Sequence, residues 1–283
     1  MITSIISCSL GGGLGNQLFE LANAYALSRH LDISLCILEN QFVGAGTGNH
    51  PNKYYNTLFH KIPRCTIDKP LITYRERTWW HMPITDAVKS LIRPNTILKL
   101  DGFYQSDQYF LGYSQDIKQL FTPEGGIKEW LKMNSDVVQK WPELFEDHEF
   151  CFIGVRRGDY VEKAYFHNPC GMDYFQKAML TQHAAKYYIA SDDLAWCKSK
   201  FVGDQFVFFD IADDLVQLLI GCLFKKYIIA NSTFHWWMSF LSVYEVPSIV
   251  APDKWIFGPN APFQSYSSIY RKEMQIIQRL VEV

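Results

Sequence analysis

The chain has 283 residues, of which 48% are hydrophobic and 20% charged, and its formal net charge is -2. That length allows one large domain or two ordinary ones, and the composition excludes a disordered or low-complexity protein. A near-neutral balance excludes a protein that holds nucleic acid on a basic face.

Aromatic residues make up 16% of the chain, a richness that suits stacking on sugars or bases and equally suits a large core. The seven cysteines, at positions 8, 36, 65, 151, 170, 197 and 222, are scattered and include no Cys-x-x-Cys. Neither a zinc site nor a disulfide framework is expected; free thiols in a reducing compartment fit better. The first residues lack a basic segment and a signal-length apolar stretch. No run of 18 apolar residues occurs, so no transmembrane segment is expected. Peripheral membrane contact through the aromatic C-terminal half stays compatible with the sequence.

Residues 2–9 read as a short strand, followed by the turn Leu10-Gly11-Gly12-Gly13-Leu14-Gly15-Asn16-Gln17. Leu14, Leu18, Leu21, Ala22, Tyr25 and Ala26 then recur on one helical face, and a second strand is expected over Ile33–Leu38. Residues 41–70 are rich in Gly and Pro, including Gly44, Gly46 and Gly48, and read as loop. Short mixed elements cover 71–100, Leu98–Tyr104 is a strand candidate, and helices are expected over 106–120 and 126–140. Trp141-Pro142 and the acidic run Glu146-Asp147-His148-Glu149 look like a boundary, dividing the chain into 1–148 and 149–283.

A second alternation begins at 150: strands at 150–155, 186–190, 205–209, 226–230 and 247–250, with helices at 172–183, 192–200, 213–224 and 233–243. The stretch 264–282 reads as a final helix that packs back across the first domain. Repeated strand–helix alternation predicts an α/β protein of two Rossmann-like domains facing a cleft.

The apolar run Phe150–Val155 reads as a buried parallel strand, and Arg156 and Arg157 stand at its end. Ligands of open α/β sheets bind beyond such ends, and guanidinium groups grip phosphate oxygens in pairs. A structural Arg–Asp pair is the plainer alternative. At the glycine turn, Gly13 and Gly15 permit close approach of a ligand to backbone, and Asn16 offers a donor and an acceptor. The third glycine of a dinucleotide fingerprint is missing, although Glu39 stands where a ribose-binding acid would. An NAD(P)-dependent oxidoreductase is therefore one alternative.

Asp192 and Asp193 follow the strand Tyr187–Ala190; either could contact a ligand or cap the next helix, and capping suits Asp193 better. Asn231-Ser232-Thr233 joins a buried strand to a helix free of charge near its start, whose N–H groups with the Ser232 and Thr233 hydroxyls would hold an anion. Plain capping is the alternative there, and glycosylation at this sequon is disfavoured by its apolar flanks. No Asp-x-Asp and no metal-spaced His pair occur, so a diphosphate would be neutralised by Arg and helix dipoles without a metal.

Six segments in order resemble the α-1,2-fucosyltransferases of glycosyltransferase family 11. They are Gly12–Phe19, Gly102–Phe110, Val155–Val161, Ser191-Asp192-Asp193 with Trp196, Ala230–Phe234 with Trp236-Trp237, and Ala251–Trp255. The resemblance implies a GT-B architecture and inverting, metal-independent transfer of L-fucose from GDP-β-L-fucose to a galactose-containing oligosaccharide, with an α-1,2 link. It implies that Arg156 contacts the β-phosphate, that Arg157 shapes the same site and that Asn16 lies near the reacting sugar. Ser232-Thr233-Phe234 would contact phosphate. Asp214 is the candidate for guanine, with Asp213 and Gln217 as rivals. Asp159 is the candidate base, although its place beside two arginines suits it better to orienting them.

The family usually carries a histidine two residues before the first arginine; this chain has Gly154. Transfer from another GDP-sugar is a further alternative, and so is a glycan-binding protein without activity. The expected setting is the cytoplasm, for an enzyme of bacterial type or encoded by a virus.

Overall fold

The computed structural model describes residues 4–39, 42–43, 49–78, 80–256 and 267–279. The chain divides into two compact units, one of Met1–Pro123 with Gln264–Tyr270 and one of Glu124–Phe263 with Arg271–Val283.

The first unit contains strands β1 (Ile5–Cys8), β2 (Leu10–Gly11), β3 (Ser34–Leu35), β4 (Ile37–Leu38), β5 (Phe42–Val43), β6 (Arg64–Cys65), β7 (Leu71–Arg75) and β8 (Ile97–Asp101). Its helices are α1 (Leu14–Leu31), α2 (Thr85–Leu91) and α3 (Ser114–Leu120). Four strands form a parallel sheet in the order β3-β1-β8-β7, with Ile5 opposite both Ser34 and Ile97. Helix α1 is stabilised by its Leu and Ala content and stops where Asp32 turns left-handed at φ 52°. Burial extends beyond the expected apolar face to Gln17, Glu20 and Asn23.

The second unit contains α4 (Ile127–Asn134), α5 (Val137–Lys140), β9 (Cys151–Val155), α6 (Gly158–Glu162), α7 (Ala164–His167), α8 (Met172–Thr181) and β10 (Tyr187–Ser191). It continues with α9 (Leu194–Lys200), β11 (Phe206–Phe208), α10 (Asp214–Gly221), β12 (Lys226–Ile229), α11 (Thr233–Phe240), β13 (Ser248–Pro252) and β14 (Met274–Ile277). Six parallel strands run in the order β11-β10-β9-β12-β13-β14. All five residues of β9 are buried, as a central strand covered on both faces requires. Tyr174, Phe175 and Ala178 of α8 pack with Ile153, Ile189, Ile228 and Val250 in one core cluster.

Four expectations are corrected. The first crossing between the units falls between Pro123 and Glu124, just ahead of Gly125 and Gly126 with φ 77° and 91°, and not at 148. The acidic run that suggested a boundary is tied into the second unit, where Asp147 and Glu149 pair with Lys225 at 2.6 and 3.0 Å. The expected helix 126–140 is split into α4 and α5, because Ser135 is extended.

The expected final helix is instead a 3-10 turn, Ser267–Ile269, followed by β14; residues 264–266 and 280–282 lie outside the described residues. Lys272–Gln275 favour helix locally, but parallel pairing of Met274–Ile277 with Ile249–Pro252 outweighs that preference. The turn belongs to the first unit, where Ser268 Oγ accepts the N–H of His81 and its carbonyl accepts from Ser106 Oγ. Cys36 and Cys65 are disulfide-bonded because parallel pairing of β4 with β6 brings together residues that no local motif links. The other five cysteines are free and buried.

The glycines at 44, 46 and 48 and the first two residues of the expected 2–9 strand lie outside the described residues. Among the described residues, no helix is long and apolar enough to cross a membrane.

Candidate functional site

In the second sheet β9 leads to β10 and β11 on one side, while β12, β13 and β14 lie on the other. The order therefore reverses between β9 and β12, and ligands of such sheets bind in the crevice beyond the strand ends at that point. Arg156 and Arg157 follow β9, and Asn231 and Ser232 follow β12 at the start of α11. The fold thus brings these sequence-predicted residues to one edge.

The two arginines are not open cations. Arg156 Nη2 lies 2.5 Å from Asp159 Oδ1 and its Nη1 3.0 Å from Asp192 Oδ2. Arg157 Nε lies 3.2 Å from Asp193 Oδ2, and its guanidinium stacks 4.1 Å above the Trp196 ring. Lys163 reaches Asp159 at 3.9 Å. Three cations meet three carboxylates, so the expected electropositive character is cancelled locally. An incoming anion must displace or share the carboxylates around Arg156.

Asp192 does more than either reading of it proposed. Its Oδ1 accepts the backbone N–H of Arg157 at 2.8 Å, so it ties β10 to the end of β9. Gly158 leaves room for it, since a Cβ there would stand 2.5 Å from Asp192 Oδ2. Asp193 caps α9 by accepting the N–H of Trp196 at 3.0 Å, as its sequence position suggested. Tyr160 lies under Arg156, with 5.1 Å between guanidinium and ring, and stacks on His167 at 3.8 Å. Burial pushes the Tyr160 phenol up to about 12.

Asn231 is a structural tie. Its Nδ2 donates to the carbonyls of His167 and Trp255 at 2.7 and 2.9 Å. Ser232 is the N-cap of α11 but makes no side-chain cap bond, which leaves plain capping without support. Asp213 caps α10 through the N–H of Val216 at 3.0 Å, and Asp214 is the first residue of that helix. Helix α10 follows β11, two strands from β9, or roughly 10 Å along the sheet.

In the first unit the order reverses between β1 and β8, and the strand ends there open into a pocket of about 460 Å³. Its walls include Gly12, Glu20, Arg75, Glu76, Arg77 and Asp101. Gly12, not Gly13, is the glycine the turn demands. It has φ 65°, and a Cβ on it would stand 2.7 Å from Asn16 Nδ2. Gly13 has φ -71° and open space around it, while Gly15 is buried in the first turn of α1. Asn16 Oδ1 accepts from Gln105 Nε2 at 3.0 Å, which joins two segments of the resemblance.

Sequence reading missed the carboxylates of this pocket. Glu76 accepts the N–H groups of Phe103 and Tyr104 at 2.9 and 3.1 Å, and burial still raises its pKa. Glu20 accepts the N–H of Gly11 at 3.0 Å. Burial, then the charges of Asp101 and Glu76, push it well above the carboxylate range. Glu76 directly follows β7, an edge strand read only as mixed structure. A single acid at a strand end is the faint signal that could have found it.

The family description "Glycosyl transferase family 11" matches residues 5–278. The chain is 25% identical over 289 positions to the O-antigen biosynthesis glycosyltransferase WbnK of Escherichia coli, covering 90% of this chain and 95% of that one. It is also 25% identical to an α-1,2-colitosyltransferase of Escherichia coli, over 89% and 92% of the two chains. The galactoside 2-α-L-fucosyltransferase SEC1 of Bos taurus is 24% identical, over 69% of this chain and 51% of that one.

Among solved structures, the α-1,6-fucosyltransferase NodZ soaked with GDP-fucose superposes with a TM-score of 0.52. Its sequence identity is 14%, over 85% of this chain and 93% of that one. POFUT1 in complex with GDP superposes at 0.51 with 13% identity, over 87% and 96%. These two likenesses concern the fold. Because the family match runs through both units, the chain belongs to glycosyltransferase family 11.

Proposed function

We propose that the protein transfers L-fucose from GDP-β-L-fucose to O2 of a galactose in a glycan acceptor, with inversion to an α-1,2 link and without a metal. The observation that carries this reading is the placement of Arg156 and the N-terminus of α11 at the ends of adjacent strands, on either side of the reversal between β9 and β12. That arrangement suits a diphosphate leaving group. The names of the bovine galactoside relative and of the GDP-fucose-soaked structure support the choice of sugar and acceptor.

In this reading the units work as the halves of a GT-B enzyme, acting in the cytoplasm. The acceptor hydroxyl attacks the anomeric carbon, the bond from that carbon to the β-phosphate oxygen breaks, and the hydroxyl proton passes to a base. Charge grows on the departing GDP as the sugar gains oxocarbenium character. Arg156, Arg157, Ser232, Thr233 and the N–H groups of α11 stabilise that charge, and they need no reorganisation at the moment of reaction. Phe234 flanks the same turn, Asp214 is the guanine contact, and Asp192 fixes the geometry of both arginines. Asp159 orients Arg156, to which it is bonded, rather than taking the proton. Gly13, Gly15 and Asn16 serve the sugar side, and the first-unit pocket takes the acceptor.

A second reading is transfer of a deoxygenated relative of fucose, or another sugar, from GDP; the colitosyltransferase relative favours it. Membership of a glycosyltransferase family stands against the oxidoreductase alternative. The test is incubation with GDP-fucose, GDP-colitose, GDP-mannose or a UDP-sugar and a panel of galactose-ended oligosaccharides, with EDTA present. GDP release with an α-1,2-fucosylated product is expected. Turnover confined to another donor would overturn the fucose reading, and loss with EDTA would overturn metal independence.

A further inference from the structure

Gly154 is the fourth residue of β9, two before Arg156, and the ring of His235 rests on it. A Cβ built on Gly154 would stand 2.5 Å from His235 Nδ1 and 2.8 Å from its Cδ2. No real side chain tolerates that approach, so position 154 must be glycine as long as an imidazole comes from α11. His235 is only 4% exposed, and Phe152 and Phe234 neighbour its ring at 6.0 and 6.2 Å. Its Nδ1 is buried and meets no hydrogen-bonding partner among the described residues.

A buried nitrogen of this kind destabilises the fold, and an apolar ring of the same shape would pack without that cost. Local rules broken in this way are expected at functional sites. The ring belongs to the third residue of α11, beyond the N-cap Ser232, and Gly154 leads through Val155 into Arg156. Burial, and after it the charge of Arg156, hold the imidazole pKa down to about 3. The ring is therefore neutral and adds no second cation.

We infer that His235 is a positioning residue of the donor site, its imidazole occupying from α11 the space of a side chain at position 154 and setting the course of β9 into Arg156. Nδ1 gains its partner in the donor-bound state. This rests on the diphosphate reading above.

Calorimetric titration of the whole protein with GDP is the test, with Tm measured in parallel. Wild type must bind GDP; if it does not, the diphosphate reading fails, and this inference with it. With wild-type binding in place, His235→Phe is expected to melt at or above the wild-type temperature while its GDP affinity falls at least about tenfold. Wild-type GDP affinity in His235→Phe would overturn the inference and leave the diphosphate reading intact.

The second arm moves the ring to position 154. Gly154→His alone should lose GDP binding through overlap. Gly154→His combined with His235→Ala should recover it to within about threefold of wild type. Gly154→Leu combined with His235→Ala should not. A double variant no better than Gly154→His alone, or equal recovery with leucine, would show His235 to be packing only.

Discussion

Asp192 and Arg156 form an ion pair of 3.0 Å across the ends of adjacent strands, β10 and β9. The same carboxylate holds the backbone N–H of Arg157, so one acid fixes the side chain of one arginine and the main chain of the next. The socket is therefore preorganised by its own counter-ions. Arg156 keeps 29% of its side chain exposed, so the two carboxylates do not seal it from solvent.

Replacing Arg156 by lysine tests the grip. Lysine keeps the charge but loses the planar fork that can hold two oxygens at once. Arg156→Lys should lower kcat/KM for GDP-fucose about a hundredfold, equivalent to about 3 kcal/mol, with an unchanged Tm. Steady-state kinetics at varied donor would expose the error if turnover stayed near wild type.

The double duty of Asp192 predicts a graded series. Asp192→Asn keeps an amide oxygen for the Arg157 N–H and loses only the ion pair, whereas Asp192→Ala loses both. Donor affinity, measured as KM or GDP dissociation, should fall modestly in Asn and roughly tenfold in Ala, in line with the loss of a hydrogen bond to a charged group. An Asn variant weaker than Ala would contradict the backbone tie.

Asn16 and Gln105 should behave as a unit. Asn16→Ala is expected to lower kcat substantially with GDP binding unchanged, because the side chain aligns the reacting sugar. Gln105→Ala should cause a smaller defect of the same kind, and the double variant should be little worse than Asn16→Ala. Full additivity, or a loss of GDP affinity, would show that their 3.0 Å bond does not serve catalysis.

The two neighbouring glycines separate conformation from contact. Gly12→Ala places a Cβ at φ 65° and against Asn16, and should destabilise the fold by about 1–2 kcal/mol. Gly13→Ala, with ordinary φ and open space, should change stability by less than about 0.5 kcal/mol. Denaturant melts of both variants decide this, and equal losses would refute it.

Glu20 makes stability depend on pH. Its folded-state pKa lies above its ordinary 4.5, because of burial first and of Asp101 and Glu76 after it, so between the two values the folded chain binds more protons than the unfolded one. Its contribution is fully present below pH 4.5 and is lost as pH rises towards the raised value. Glu20→Gln, which keeps an acceptor for Gly11, should flatten that decline. A wild-type Tm profile unaltered by the substitution would remove Glu20 as its source.

The strand–helix alternation from 150 to 250 was readable because its central strands are buried on both faces and two of its helices start at side-chain caps, Asp193 and Asp213. Those signals are local. Arg156, Arg157 and Ser232 could be picked out together because strand ends in a parallel sheet converge wherever the strands pair. Whether their charges are open could not be read, since the carboxylates that neutralise Arg156 include Asp192, which is brought in only by the pairing of β9 with β10. The same holds for β14, where a helix-favouring sequence is drawn into the sheet edge, and for the link from Cys36, just before β4, to Cys65 of β6. The contact of His235 with Gly154 spans 81 positions and leaves no trace in periodicity. Residue type and local spacing determined which elements form and which groups could do chemistry; tertiary packing alone decided their partners, because burial and charge pairing act through space and not along the chain.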